Sequence, residues 1–378
     1  MAASVREMID SYNPDVSLAE ASAPPSSWYI DPRIFELERR TVFTRSWQMV
    51  GRAEGVREPG QYITCDVAGE PILVVRGKDG VLRGFFNVCR HHAAAVMTNP
   101  EGRTEILRCP YHGWTYNLEG ALIVTPEFAG VRSFDRSANG LIPLRTAIWE
   151  GLVFVNLASG GPSLEDFLGI VLAQRIRQLS LENLRWIARR AYTLNCNWKV
   201  FIDNYLDGGY HVPHIHRGLN SVLDPANYEI ETGERFCLQS SPISNDTNVD
   251  AQTAAVRKGS ALYYWIYPNL MINVYEGVMD TNLVCPRGLD RTEVIFDFYF
   301  ADNSASAHER NLVSIAVSER IQAEDIAICE SVQRGLASRA YNTGRLSLRR
   351  EGGEHLFHRL LHADLKSGLS NEGSDPPY

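Results

Sequence analysis

Asn87-Val-Cys-Arg-His-His, followed by Arg108-Cys-Pro-Tyr-His-Gly-Trp, decides the reading of this 378-residue chain. The first segment offers Cys89 and His91, the second Cys109 and His112: Cys-x-His, seventeen residues, then Cys-x-x-His. Two loops, each presenting one thiol and one imidazole, make a four-ligand cage. Around them, between about 46 and 157, the sequence consists of short β-rich runs punctuated by glycine. Tyr62-Ile-Thr-Cys-Asp-Val, Pro71-Ile-Leu-Val-Val-Arg, Val81-Leu-Arg-Gly-Phe-Phe and Gly151-Leu-Val-Phe-Val-Asn are examples. Short strands with turns between them predict a small antiparallel β domain.

Two metals suit such a cage. Tetrahedral zinc accepts two cysteines and two histidines. A Rieske [2Fe–2S] centre puts both thiolates on one iron and both imidazoles on the other. Zinc knuckles usually take both cysteines from one short motif and both histidines from another, whereas each loop here is mixed. The mixed order favours the iron–sulfur centre over zinc and over coincidence. Pro110 and Gly113 let the second loop fold tightly against a cluster, and His92 is the spare histidine, expected beside the ligands or at the surface.

Working outward, residues 1 to about 27 are polar, rich in Ala, Ser and Pro, and read as an extended arm. Asp31 as N-cap and Pro32 at the first helical position then start a helix carrying Ile34, Phe35, Leu37, Val42 and Phe43. Ala158-Ser-Gly-Gly-Pro-Ser marks a boundary. Beyond it lie helical segments, a β-rich stretch near 261–300 and a long helical pattern near 308–338. The expected class is therefore α+β: an N-terminal arm and helix (1–45), an all-β domain with the cage (46–157) and a second domain (158–378).

That second domain carries its own constellation. Asn197-Trp-Lys-Val-Phe-Ile-Asp-Asn-Tyr-Leu-Asp-Gly-Gly-Tyr-His-Val-Pro-His-Ile-His holds His211, His214 and His216 within six positions. Pro213 is expected to push Val212 from helical angles and end a helix near His211. On a continuous helix His211 and His216 would diverge by about 140°; a turn at Pro213 lets both face one point. Asp203, Asp207 and His211 recur at intervals of four and share a face. His214 is the alternative to either histidine.

Two imidazoles with open positions call for a carboxylate, completing the facial triad of a non-haem Fe(II) oxygenase. In Ile321-Gln-Ala-Glu-Asp-Ile-Ala-Ile-Cys-Glu-Ser-Val-Gln-Arg-Gly-Leu, an apolar stripe runs through Ile321, Ile328, Cys329, Val332 and Leu336, and Asp325 falls on it. A lone carboxylate on a buried stripe is costly unless it is paired, with an arginine for instance, or binds a cation. Glu324 and Glu330 lie off the stripe and read as solvated.

Composition narrows the partners. Lys+Arg total 37 against 45 Asp+Glu, a net charge of −8, which repels phosphate backbones and argues against nucleic acid. No run approaches the roughly 20 apolar residues of a membrane helix. No secretory signal is visible, and Glu7, Asp10, Asp15 and Glu20 do not suit an acid-poor transit peptide. Seven cysteines are too few for a disulfide framework, so the expected compartment is reducing cytoplasm. Cys65, Cys196, Cys237, Cys285 and Cys329 read as small core residues.

Both constellations together resemble the catalytic subunit of the Rieske non-haem iron oxygenases, closest to the choline monooxygenase-like branch. The likeness runs from Ser27-Trp-Tyr through Glu38-Arg-Arg-Thr-Val-Phe, both histidine motifs and Glu324-Asp-Ile-Ala-Ile-Cys-Glu-Ser-Val-Gln-Arg-Gly-Leu to Leu356-Phe-His. It implies a Rieske domain joined to a helix-grip catalytic domain, in which antiparallel sheet and helices enclose the iron. By position, Cys89 and Cys109 would hold one cluster iron and His91 and His112 the other, while His211, His216 and Asp325 would hold mononuclear Fe(II). It further implies O2 as co-substrate, NAD(P)H electrons from a ferredoxin or a flavin/iron–sulfur reductase, and homotrimers in which electrons cross between subunits.

The chain departs from that pattern twice. His92 stands where many relatives carry Arg. Gly208 stands where many carry the carboxylate that bridges subunits; Asp207, on the His211 face, is the substitute, with Asp203 or Glu330 as other routes. Asp207, Asp203 and Asn204 are therefore the candidate catalytic residues beside the metal. In Ala261-Leu-Tyr-Tyr-Trp-Ile-Tyr-Pro-Asn-Leu-Met-Ile-Asn-Val-Tyr, the aromatics can cage a quaternary ammonium substrate by cation–π attraction or pack the core. Tyr264, Trp265 and Tyr275 are the candidates. The expected activity is hydroxylation or N-demethylation of a small quaternary ammonium compound such as choline or a betaine. The alternatives are an oxygenase acting on an aromatic compound and a metal-stabilised electron-transfer or binding protein without oxygenase activity.

Overall fold

The computed structural model describes residues 3–244 and 250–370. It divides into two compact units, one of Phe43–Leu164 and one combining the residues up to Val42 with those from Glu165 onward.

Within Phe43–Leu164, ten strands run in chain order: β1 (Gln48–Arg52), β2 (Gln61–Val67), β3 (Glu70–Arg76), β4 (Leu82–Phe86), β5 (Glu101–Arg103), β6 (Leu107–Arg108), β7 (Thr115–Tyr116), β8 (Leu122–Val124), β9 (Pro143–Trp149) and β10 (Leu152–Asn156). Seven form one antiparallel sheet, ordered β1-β10-β9-β4-β3-β2-β5, and β6-β7-β8 form a small separate sheet. The quoted runs all become strands. Ile72 to Val75 in β3 are fully buried in succession, as a strand covered on both faces requires. The two cage loops follow β4 and β6 and close over a core that includes Leu73, Val75, Phe85, Trp114 and Tyr116.

The other unit carries a second antiparallel sheet, ordered β11-β17-β16-β15-β14-β13-β12. Its strands are β11 (Arg185–Leu194), β12 (Glu229–Thr232), β13 (Phe236–Pro242), β14 (Ser260–Ile266), β15 (Leu270–Tyr275), β16 (Val278–Gly288) and β17 (Arg291–Phe300). Helices Trp198–Leu206, His308–Leu336 and Gly352–Ser370 pack on it. No described helix is long and apolar enough to cross a membrane.

Two sequence expectations are corrected here. The N-terminal residues are not an extended arm. Ser4 and Glu7 form a capping box that starts a helix at Val5–Asp10, and Met8, Ile9 and Tyr12 are buried. Trp28 Nε1 donates to the Met8 carbonyl at 3.1 Å. The helix of the histidine motif also ends earlier than expected, at Leu206, because Gly208 and Gly209 take φ of +70° and +68°. Pro213 does not end a helix: it sits in the first turn of a new one, Val212–Ile215, where a missing N–H costs nothing.

Farther up the chain, Asp31 caps the Pro32–Glu38 helix as expected, accepting the Arg33 N–H at 2.9 Å. That helix delivers Glu38 to a wholly buried ion pair with Lys199, at 2.6 Å, and Trp198 Nε1 donates to the same carboxylate at 2.8 Å. The ion pair anchors the start of the histidine-bearing segment.

Candidate functional site: two convergent ligand sets and a pocket

Each cage loop is a tight turn built alike. The Cys89 N–H donates to the Ala94 carbonyl and the Ala93 N–H to the Cys89 carbonyl, at 2.8 and 3.0 Å. Cys109 repeats this with Trp114 and Gly113, at 2.8 and 3.1 Å. The fourth residue after each cysteine has positive φ, +61° at Ala93 and +72° at Gly113. Gly113 adopts it at no steric cost; Ala93 holds a strained conformation that its two flanking backbone bonds maintain.

Inside the loops both thiols are buried, and both imidazoles lie together, with ring centroids 4.7 Å apart. His91 stacks on Trp114, also at 4.7 Å. Tyr116 Oη accepts the Arg90 N–H at 3.0 Å, so its own hydrogen is free to point at Cys89 Sγ, 3.4 Å away. His91 Nδ1 is buried with no hydrogen-bond partner. An orphaned imidazole nitrogen beside a second imidazole, with two buried thiols, fits an electron-poor metal centre. Burial raises the Cys109 thiol above its ordinary pKa, so a cation at this position would be needed to keep it a thiolate. His92 is exposed, and a ring nitrogen of it lies within 4.8 Å of those of His91 and His112.

The second set lies in the other unit. His211 precedes the Val212–Ile215 turn and His216 follows it, and their rings sit 4.9 Å apart at 82°. Asp325, on the buried line Gln322, Asp325, Cys329 and Leu336 of the long helix, completes the group. Its Oδ1 lies 3.0 Å from His216 Nε2 and 3.8 Å from His211 Nε2. The far nitrogens are anchored: His211 Nδ1 to Asp207 at 2.6 Å, His216 Nδ1 to Glu324 at 2.7 Å. Asn204 Nδ2 donates to Asp325 Oδ1 at 2.8 Å. With each Nδ1–H given to a carboxylate, each Nε2 turns its lone pair inward, the arrangement that orients metal-ligating histidines. Burial works against a charged His216, but hydrogen bonds and charge from Asp325 and Glu324 outweigh it, and its pKa is raised. Two imidazoles and a carboxylate, all aimed at one point, fit a facial-triad metal.

Glu324 was expected in solvent; instead it is half-buried and holds His216. Adjacent residues on a helix differ by about 100°, which places Glu324 at the edge of the stripe that Asp325 occupies. Glu330 accepts from the backbone and side chain of Asn195 instead of facing the ligands. His214 is exposed and takes no part. Asp203, four residues before Asp207, turns elsewhere: it accepts from Tyr29 Oη at 2.7 Å and sits 3.0 Å from His358 Nε2. The early end of the helix separates it from His211. A Cβ on Gly208 would lie 2.1 Å from the Arg350 carbonyl oxygen, so this backbone has no room for a carboxylate there.

A pocket of roughly 740 Å³, including its open mouth, has His211, His216 and Asp325 in its wall. Tyr275 lines it, as expected, but Tyr264 and Trp265 do not. Tyr264 points to the opposite face of β14 from Tyr263. Trp265 shares the Tyr263 face but lies farther along the strand, where it packs on Phe357 and donates to the Pro268 carbonyl. Tyr263 takes the expected place, 2.8 Å from the Tyr275 hydroxyl. Tyr205, Phe296, Asn273, Asp280, Asn282 and Arg257 are among its other polar and aromatic lining residues. A signal for the polar members existed: Asp280, opposite Asn273, and Asn282 stand at alternate positions of a buried strand, where a simple core would be apolar.

Two profiles divide the chain along the same line as the ligand sets: the Rieske [2Fe–2S] domain matches residues 46–135, and the ring-hydroxylating alpha subunit catalytic domain matches 181–367. The chloroplastic choline monooxygenase of Arabidopsis thaliana is 40% identical over 375 residues, covering 96% of this chain and 87% of that protein. This chain belongs to the Rieske non-haem iron oxygenases. Within that family, the carnitine monooxygenase oxygenase subunit of Acinetobacter pittii is 30% identical, covering 96% of this chain and 93% of that one. A solved quaternary ammonium Rieske monooxygenase, studied for carnitine oxidation by gut microbiota, superposes with a TM-score of 0.83 at 29% identity, covering 94% of this chain and 98% of its own. Membership makes the chain an oxidoreductase of two metal centres, a Rieske cluster and a mononuclear iron.

Proposed function

We propose that this chain is the oxygenase subunit of a monooxygenase for a small quaternary ammonium compound. Cys89, Cys109, His91 and His112 hold the [2Fe–2S] cluster, and His211, His216 and Asp325 hold the iron. When bound, these centres supply electron relay and O2 activation, with O2 as co-substrate and NAD(P)H electrons delivered through a separate ferredoxin or flavin/iron–sulfur reductase. The reaction is C–H hydroxylation, which at an N-methyl carbon leads to N-demethylation.

The residues of the chain do the rest. Asp207 and Glu324 fix the tautomer and direction of the two histidines, and Asn204 orients Asp325. Asp207 is also the route by which electrons reach His211, in a homotrimer whose subunits exchange them. Tyr263, Tyr275, Tyr205 and Phe296 line the pocket, and Asp280 adds a buried carboxylate. Burial raises the Asp280 pKa; the Asn273 amide N–H at 2.9 Å, the charge of Arg257 and the Asn282 amide N–H at 2.7 Å oppose that rise. A quaternary ammonium has no N–H to donate, so ring faces and one nearby negative charge are the complement it needs. A quaternary ammonium adds positive charge beside the buried Asp280 and a flat neutral aromatic adds none, which favours the cationic substrate.

The observation that carries this reading is the convergence of three ligand atoms, both histidines anchored from behind, in the wall of an aromatic pocket with a buried acid. The test is O2 and NADH consumption by the purified protein with a surrogate reductase. Choline, glycine betaine, carnitine and a set of aromatic acids are compared. Turnover of a trimethylammonium compound supports the proposal; turnover confined to aromatic acids overturns it.

A further inference from the structure

The same pocket contains a feature that neither metal site nor cation cage uses. Arg257 lines it and is only 2% exposed. Its guanidinium lies over the Tyr275 ring at 4.6 Å. Nη1 donates to Ser314 Oγ at 2.6 Å; Nη2 donates to Ser318 Oγ at 2.7 Å and the Ser314 carbonyl at 3.3 Å. All three acceptors are neutral. Nε is buried with no partner, and among the described residues no carboxylate pairs with this arginine. Of five N–H donors, three are used.

A buried guanidinium without an anion is among the costliest arrangements a protein interior holds. Ser318, which holds Nη2, also lines the pocket, so the fork forms part of the wall. The opposite charge in this wall, Asp280, is engaged by Asn273 and Asn282 instead. Both amides donate to the same oxygen, Oδ1, and Oδ2 receives no hydrogen bond among the described residues. The pocket therefore presents one buried positive and one buried negative group, each held by neutral partners and neither bound to the other.

Resting on the quaternary ammonium reading above, we propose that Arg257 is a carboxylate-binding residue and that the substrate is a zwitterion carrying both a quaternary ammonium and a carboxylate. The cation sits beside the pocket tyrosines and Asp280, and the substrate carboxylate accepts from the unused Nη1 hydrogen of Arg257. An amino alcohol with the same cation offers the unused Arg257 hydrogen no anion.

Glycine betaine and choline are the discriminating pair, since they share a trimethylammonium and differ as carboxylate against hydroxymethyl. Their binding to the metal-loaded protein is measured by calorimetry without reductant. A charge-assisted contact of this kind predicts that betaine binds about tenfold or more tightly than choline. Arg257→Gln should weaken betaine by about the same factor and leave choline within about twofold; Arg257→Lys should recover part of the loss. Equal or tighter binding of choline by the native protein overturns the carboxylate role, as does an equal loss for both ligands in Arg257→Gln. If neither ligand binds, nor any other trimethylammonium compound, the quaternary ammonium reading itself falls. The comparison on the native protein stands even if the glutamine variant, which loses the Ser314 and Ser318 bonds, does not fold.

Discussion

Asp207 Oδ2 holds His211 at two points: it accepts the backbone N–H at 2.9 Å and lies 2.6 Å from the ring Nδ1. The carboxylate caps the broken helix and orients the ligand on the far side of two glycines. The next residue, Gly208, has no room for such a carboxylate, because a Cβ there would meet the Arg350 carbonyl oxygen.

Removing that carboxylate should loosen the iron without touching the cluster. Asp207→Ala is expected to weaken iron retention against a chelator by about 10–100-fold, the usual effect of losing the group behind a metal-ligating histidine. The visible spectrum of the cluster should stay unchanged. Undiminished iron retention would show that Asp207 does not orient His211.

The two centres should be separable by substitution. Asp325→Ala is expected to lose the mononuclear iron and all turnover while keeping the cluster spectrum, and Cys109→Ala should do the reverse for the spectrum. Iron and sulfide analysis of each variant decides. An Asp325→Ala protein with full iron and turnover would displace Asp325 as the third ligand.

Gly208 should not tolerate a side chain. Its φ of +70° already disfavours L-residues by about 1–2 kcal/mol, and a Cβ there meets the Arg350 carbonyl oxygen. Gly208→Asp is expected to lower the thermal midpoint and not to raise turnover. An unchanged midpoint would mean that this turn adjusts freely.

Glu38 and Lys199 offer a test away from the chemistry. Both side chains are fully buried. Lys199→Met alone should cost about 3–5 kcal/mol, because it strands Glu38 in the interior. Adding Glu38→Gln removes that charge, keeps an acceptor for Trp198 Nε1, and should recover much of the loss. Denaturant unfolding of the single and double variants measures both, and additive losses would contradict the coupling.

Much of this was legible from spacing alone. That His91 meets His112, and His211 and His216 meet Asp325, was readable because metal chemistry restricts both residue type and interval. The β-rich runs were readable because alternation and glycine punctuation are local. Glu324 was not, since its role depends on where His216 comes to lie across a long chain separation. Tyr263 was confused with Tyr264 because a one-residue error on a strand selects the opposite face. Trp265 failed for another reason: it shares the correct face but lies too far along the strand. The helix end at Leu206 was misread because Pro213 drew more weight than Gly208 and Gly209. Arg257 left no mark at all in its own segment, where a lone arginine beside Lys258 looks like surface.

The central claim, two distinct iron centres in one polypeptide, is tested most directly by quantifying metal and acid-labile sulfide in the purified protein. A cluster plus one further iron predicts iron and sulfide in a ratio of about three to two per chain, with the visible absorption of a Rieske centre. Zinc in place of iron, with no sulfide, would contradict it.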